Sequence, residues 1–503
     1  MAKSGLTVKE YICINTDIYV FTTAPLFGKF HSPLQNAGLA LRRRPLHHLE
    51  SLCAQRLDPL LLQPNEAGDN SRERLYTPRL TFLAFLDQIL DPDSSCRSAV
   101  DQILSYYQSL PHPPTINSDT SAYCQARARW TCPELMDIRR ALARGPAIHG
   151  DTLLAGIPGQ RSLKVIDGTC FNLPDTAANR LVCPPSDDQK PGCGFPLVRM
   201  VGVFCLKTGA LLEETSAPYA VSENALFHDL WPTFRPGDLL VADRNFCSYA
   251  ALASLQLFHQ TDGLFHLHAS RHSDFRKGRR LGPRDRLVTW HKPPRKPANI
   301  SEEQWQQLPA TLTVRLVRVR LTTSQSRCRT ITLVTTLTDP QLWPVKLLAA
   351  LYHRRWKIEL YWDDIKTALQ MDMLSCKTPA MVHKEIQMHL IAYNLIRALM
   401  VEAALTAQVP LERVSFTGTR DAAYHYSQAI AKIPVSQTKR RRLLYLQMLA
   451  TIASELVPER PDRREPRCQK RRPKAYPFMT RPRHLMQDAP KRSRSTKTRE
   501  SLS

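Results

Sequence analysis

Lys164-Val165-Ile166-Asp167 begins a β-strand that runs to about Leu173-Pro174, and Asp238-Leu239-Leu240-Val241-Ala242-Asp243 is a second, short apolar strand that ends in a carboxylate. Between them the alternation predicts strands over Leu197–Leu206 and Ala210–Thr215, joined by a Lys207-Thr208-Gly209 turn, and a helix from about Ser222 to Trp231. Beyond them Tyr249–Leu257 reads as a helix and Gly263–His268 as a further strand. Three antiparallel-type strands followed by alternating helix and strand match an α/β fold, with a mixed sheet of the ribonuclease-H type at its core.

Outward from this core the pattern changes. Residues 269–344 read as a β-rich insertion, with a basic loop over Arg271–Arg286 and strands over Thr311–Leu321 and Thr330–Leu337. A long helix is predicted from about Val345. The stretch Ile391–Ala407 carries Asn394, Arg397 and Glu402, which suits a buried helix better than a membrane span. Upstream, residues 46–150 are helical in period, as in Leu80, Leu83, Phe85, Leu86, Ile89 and Leu90. The Asp91-Pro92-Asp93-Ser94 group marks a turn. Arg72, Arg74, Arg79, Arg127 and Arg129 of this helical N-terminal domain are expected to face phosphates. Residues 1–45 show no assignable pattern. The catalytic domain is placed at 151–405, C-terminal helices at 406–458 and a basic tail at 459–503.

Charge narrows the function. Lys and Arg total 69 against 45 acidic residues, a formal net of +24, which points to a polyanionic partner and first of all to nucleic acid. The segment 459–503 holds 15 basic and 5 acidic residues and few apolar ones, so it is expected to be disordered alone and to lie along phosphates on DNA. Lys3, Lys9, Glu10 and Asp17 break any signal-peptide pattern at the start, and the absence of a basic amphipathic helix beside an apolar anchor argues against a membrane partner. Thirteen cysteines without a Cys-x-x-Cys pair read as reduced thiols. His266, His268 and His272 cluster without a cysteine or carboxylate and read as part of a basic loop.

The segment Leu351-Tyr-His-Arg-Arg-Trp-Lys-Ile-Glu-Leu-Tyr-Trp-Asp-Asp-Ile-Lys366 carries the chemistry. At about 100° per residue, Tyr352, Arg355, Glu359 and Lys366 share one stripe about 60° wide on a helix. Geometry alone leaves equal room for a solvated face stitched by an i,i+4 pair between Arg355 and Glu359. The spacing Tyr-x2-Arg-x3-Glu-x6-Lys resembles the YREK signature of DDE transposases of bacterial insertion sequences, specifically the IS-four family. The run from Asp167 to Thr176 looks like that family's first-aspartate motif, and Gly237 to Phe246 looks like its second. Tyr76–Tyr107 is similar to its N-terminal domain and Arg467–Arg483 to its basic end, so the resemblance covers about residues 70–485.

The resemblance implies a cytoplasmic, nucleoid-associated enzyme that binds transposon ends and target DNA as a homodimer in a synaptic complex. It implies cleavage and strand transfer with two Mg2+ ions, for which Mn2+ can substitute. Asp167, Asp243 and Glu359 would be the catalytic and metal-binding acids, while Tyr352, Arg355 and Lys366 would bind DNA. Two hard cations about 3.5–4 Å apart, held by few carboxylates, suit an in-line displacement at phosphorus. Asp363, one turn beyond Glu359, is not excluded by geometry, and only the resemblance ranks Glu359 first. The family's stacking tryptophan has no aligned counterpart, since Trp290 and Trp305 read as packing residues. Asp175 reads as a turn or cap residue. Glu223 either supports the site or is a first-turn helix carboxylate. Two other functions use the same features: a nuclease without strand transfer, and an inactive relative acting as a DNA-binding repressor. Glycoside hydrolysis by paired acids fits neither the charge nor the stripe.

Overall fold

The structure is a computed structural model and describes residues 47–62, 75–91, 95–109, 115–153, 157–190, 192–268, 270–271, 274–322, 328–459 and 479–486. The expectations for residues 1–45, Arg72, Arg74 and His272, and for nearly all of the 459–503 tail, lie outside these residues.

β1 (Leu163–Asn172) pairs antiparallel with β2 (Leu197–Cys205), which pairs antiparallel with β3 (Leu211–Pro218). On its other side β1 runs parallel to β4 (Leu239–Ala242), and β4 parallel to β5 (Asp262–His266). The helices that make the parallel crossovers are α5 (Glu223–Asp229) and α6 (Tyr249–His259). Alternation divides the strand residues between two cores. Val165, Leu239 and Val241 join one apolar cluster, whereas Ile166, Leu240 and Ala242 join another that contains residues of α5 and α6. Burial on both faces is why β4 is apolar at every position.

The insertion does not form a separate layer. β9 (Cys328–Thr335) pairs antiparallel with β5, and β8 (Thr311–Thr322), β7 (Asp285–His291) and β6 (Arg279–Gly282) follow outward. One mixed sheet of nine strands results, in the order β3-β2-β1-β4-β5-β9-β8-β7-β6. The stretch read as a basic loop therefore contains β6 and the start of β7, whose turn includes Arg284 at φ 58°. Its polar, charged residues hid the pairing because β6 is an exposed edge strand.

The other face of the sheet carries the helices that continue the chain. α9 (Pro379–Ala407) is buried along most of its length and packs against α4 (Cys132–Leu153) and β3. It is long and apolar enough to cross a membrane, but 72% of its most apolar window is buried within this fold. Asn394, fully buried on α9, accepts from the Leu211 amide at 2.9 Å and donates to the Leu211 carbonyl at 2.9 Å, closing the start of β3. α1 (Pro78–Leu90) starts at Thr77, whose hydroxyl accepts from the Leu80 amide, with Pro78 in the first turn. α2 (Cys96–Gln108) and α3 (Ser121–Arg129) complete the helical N-terminal part. Arg127 does not face phosphates as expected: it is buried, with its guanidinium over Phe85 at 4.7 Å and Tyr123 at 5.2 Å. Arg79 is engaged by Glu50 at 2.6 Å.

The long helix predicted from Val345 is broken. α7 (Val345–His353) gives way to a tight turn over Arg354–Trp356, then α8 (Lys357–Asp363), then a wide π turn over Asp364–Ala368. Tertiary ties account for the breaks. Trp362 drops onto the sheet where Gly202 has no side chain, and Asp364 reaches Arg397 of α9 at 3.0 Å. α10 (Phe416–Ala431) and α11 (Thr438–Ser454) are the last helices before residue 459.

Candidate active site

The register between β1 and β4 builds the site. Val165 is level with Val241, so two residues further on Asp167 stands abreast of Asp243, just past the end of β4. Both side chains take the direction of Val165 and Val241, toward the face on which α8 lies. Asp167 Oδ1 accepts from the Gly168 amide at 2.9 Å, and Asp243 Oδ1 accepts from the Asn245 amide at 2.8 Å.

α8 is seated by Gly202, the β2 partner of Asp167 in register. A Cβ at Gly202 would come within 2.9 Å of the Trp362 ring, so its absence lets α8 lie against the sheet beside the aspartates. Arg355 is the hub of what gathers there. It donates to Glu359 Oε1 at 3.2 Å, and its charge is felt by Asp167 and Tyr352. Burial would lower the basicity of Arg355, but Tyr352, Asp167, Glu359 and Asp243 together raise it above the ordinary guanidinium range. The Asp167 carboxyl is pushed up to about 7, first by burial. The Gly168 amide and Arg355 oppose this, while the charges of Asp243 and Glu223 add to it.

The other stripe residues are placed differently from one another. Tyr352 is buried, edge-on to the His266 ring at 6.3 Å, and its hydroxyl is pushed up to about 12, chiefly by burial. It supports Arg355 from within the core instead of standing on a solvated face. Lys366, carried by the π turn, reaches β1 beyond the aspartates. Its Nζ donates to Thr169 Oγ1 at 3.3 Å and the Cys170 carbonyl at 3.1 Å. Asp363 is exposed and accepts from Thr367 Oγ1 at 2.8 Å. Asp175 binds Arg180, and Thr176 caps the short helix Ala177–Val182. Trp305 is buried beneath Lys292, and Trp290 lies under Arg271 at 4.2 Å.

Asn245 was not singled out in the sequence. It joins two acids, since its amide binds Asp243 and its Nδ2 donates to Glu223 Oε2 at 3.3 Å. Its place two residues after Asp243 was the available signal. Asp167, Asp243 and Glu359 offer only hard oxygen donors, and the crowding that raises Asp167 is what a divalent cation would relieve. Among the described residues, the group whose ligand atoms all lie within 4.8 Å of one another is a different one: His47, His48 and Asp87. There His48 Nε2 meets Asp87 Oδ1 at 2.7 Å and Nδ1 meets Ser427 Oγ at 2.9 Å, a nitrogen-rich set outside the sheet.

Asp167 on β1, Asp243 just past the end of the parallel strand β4, Glu359 on α8 and Arg355 in the turn before α8 thus form one cluster. Residues 158–395 match the family model described as the transposase DDE domain. The matched stretch is similar to DDE transposase domains of the IS4 type. Over 249 residues the chain is 28% identical to transposase InsG for insertion sequence element IS4 of Escherichia coli (strain K12), a match covering 48% of this chain and 53% of that protein. The chain thus spans about half the length of the curated relative it matches. The piggyBac transposase in its synaptic complex with hairpin DNA is similar over 86% of this chain and 87% of that one. At a TM-score of 0.37 and 10% identity, that likeness is too distant to carry an argument.

Proposed function

We propose that the protein is a transposase that binds the terminal inverted repeats of an insertion sequence, cuts there and joins the ends to target DNA. The observation that carries this reading is the convergence of Asp167, Asp243, Glu359 and Tyr352 on Arg355, within the stretch that matches the DDE domain. Asp167 and Asp243, abreast on a ribonuclease-H-like sheet, and Glu359 on α8 would hold two Mg2+ ions, with Mn2+ a substitute. When bound, such ions supply activation of the attacking oxygen and neutralisation of charge on the leaving one. Arg355 binds a phosphate beside the scissile bond, and in doing so releases Glu359 from its ion pair. Tyr352 fixes the Arg355 side chain from the core. Lys366 neutralises a further phosphate over β1. The net charge of +24 supports DNA as the partner. Joining two ends requires two active sites, so the working form is a homodimer on DNA, acting in the bacterial cytoplasm.

The test is cleavage of a duplex carrying the element's end. Asp167→Asn, Asp243→Asn and Glu359→Gln should each reduce cutting to background, with DNA affinity kept within about fivefold, because phosphate contacts come from Arg and Lys. Normal cutting by all three variants would overturn the reading. Normal cutting by Glu359→Gln together with loss in Asp363→Asn would move the third acid to Asp363. Joining of the cut end to a second duplex separates a transposase from a nuclease.

A further inference from the structure

A fourth carboxylate reaches the same place from the opposite face of the sheet. Glu223 opens α5, whose apolar residues Leu226 and Phe227 pack in the cluster away from α8. Its side chain runs back over Gly168: a Cβ there would lie 2.6 Å from Glu223 Oε1. The missing side chain next to Asp167 is therefore what admits this acid. Asn245 holds it, and the same residue's amide holds Asp243. Glu359, by contrast, is drawn to Arg355 at 3.2 Å.

A carboxylate at the start of a helix has solvent available to it. This one sits among like charges, and among the described residues no Lys or Arg forms an ion pair with it. Three acids placed together raise one another's energy unless a cation lies between them. Arg355 forms its ion pair with Glu359 instead.

We infer that Glu223 is a fourth carboxylate of the divalent-cation centre, reaching it across Gly168 and held there by Asn245. The inference rests on the reading that Asp167 and Asp243 hold such a cation. Glu223 adds an oxygen donor toward the cation or its bound water, and it does so without DNA, while Glu359 is engaged with Arg355.

The experiment is calorimetric titration of the full chain, free of DNA, with Mn2+. Glu223→Gln should weaken binding about tenfold, in the range that a ligand's supporting shell commands. Gly168→Ala keeps every acid but pushes Glu223 aside, and it should weaken binding similarly. The double variant should lose little more than either single one, since both remove the same group. Thermal melts of the three variants report whether the fold is kept, and Gly168→Ala tests the idea even if Glu223→Gln folds poorly. If Asp167→Asn weakens Mn2+ binding while Glu223→Gln and Gly168→Ala bind as wild type, this inference fails and the two-cation reading stands. If Asp167→Asn itself binds Mn2+ normally, that reading fails and this inference with it.

Discussion

Arg355 is the residue on which the site balances. It is mostly buried, touches Glu359, and carries the only positive charge among the groups that weigh most on Asp167. A guanidinium can grip a phosphate with two parallel hydrogen bonds, which an ammonium cannot. Arg355→Lys should therefore bind the element's end within about threefold of wild type, since the charge is retained, but cut it poorly. Wild-type cutting rates in a single-turnover assay would show that a point charge suffices. The bland alternative, an exposed i,i+4 pair with Glu359, is worth only about 0.3–0.5 kcal/mol and gives no reason for a cutting defect. The residue types and spacing of this constellation were legible in the sequence. The burial of Tyr352 was not, because an aromatic on a polar stripe looks solvated until the neighbouring strand supplies His266.

At the scale of elements, the insertion shows most clearly how a charge can sit where sequence pattern forbids it. Arg315 on β8 is fully buried, with Nε and Nη2 donating to Asp285 of β7 at 2.9 and 2.7 Å and Nη1 donating to the Trp343 carbonyl at 2.8 Å. The pair ties the outer strands to the turn that leads into α7. Arg315→Met should leave Asp285 buried and unpaired, and so cost about 3–5 kcal/mol in a denaturant titration. Replacing both, Arg315→Met with Asp285→Leu, should recover most of that loss. A single variant as stable as wild type would mean that Asp285 finds water. The run Val314-Arg315-Leu316-Val317-Arg318 gives no hint of which arginine points inward. The broken helix after α7 is a similar case: a uniform helical period cannot reveal that Asp364 must reach Arg397.

At the scale of the whole molecule, charge is what would bring the protein to its proposed partner, DNA. The last 45 residues carry a net +10 of the chain's +24. Removing the residues after Pro458 should weaken binding to any DNA and flatten the dependence of log K on log salt. That slope should change by about 0.9 for every phosphate the shortened chain no longer neutralises. Equal slopes for the full and shortened chains, measured by fluorescence anisotropy at several salt concentrations, would show that the tail does not neutralise phosphates.

The sequence by itself determined the strand that carries Asp167, the strand that ends just before Asp243, the helical stretch that holds Glu359, and a strongly positive net charge. These follow from local periodicity, fixed spacing and composition, which need no knowledge of what packs against what. Only the tertiary structure decided that the β-rich insertion extends one nine-stranded sheet, since strand partners are set by a free edge on β5 and not by the inserted residues. It also decided that Arg127 is a core residue stacked on aromatic rings, and that the long helix breaks around Arg397 and Trp362. Most of all, it brought Glu223 over the bare backbone of Gly168. That approach depends on two residues 55 positions apart meeting over one face of the sheet, and no local pattern encodes it.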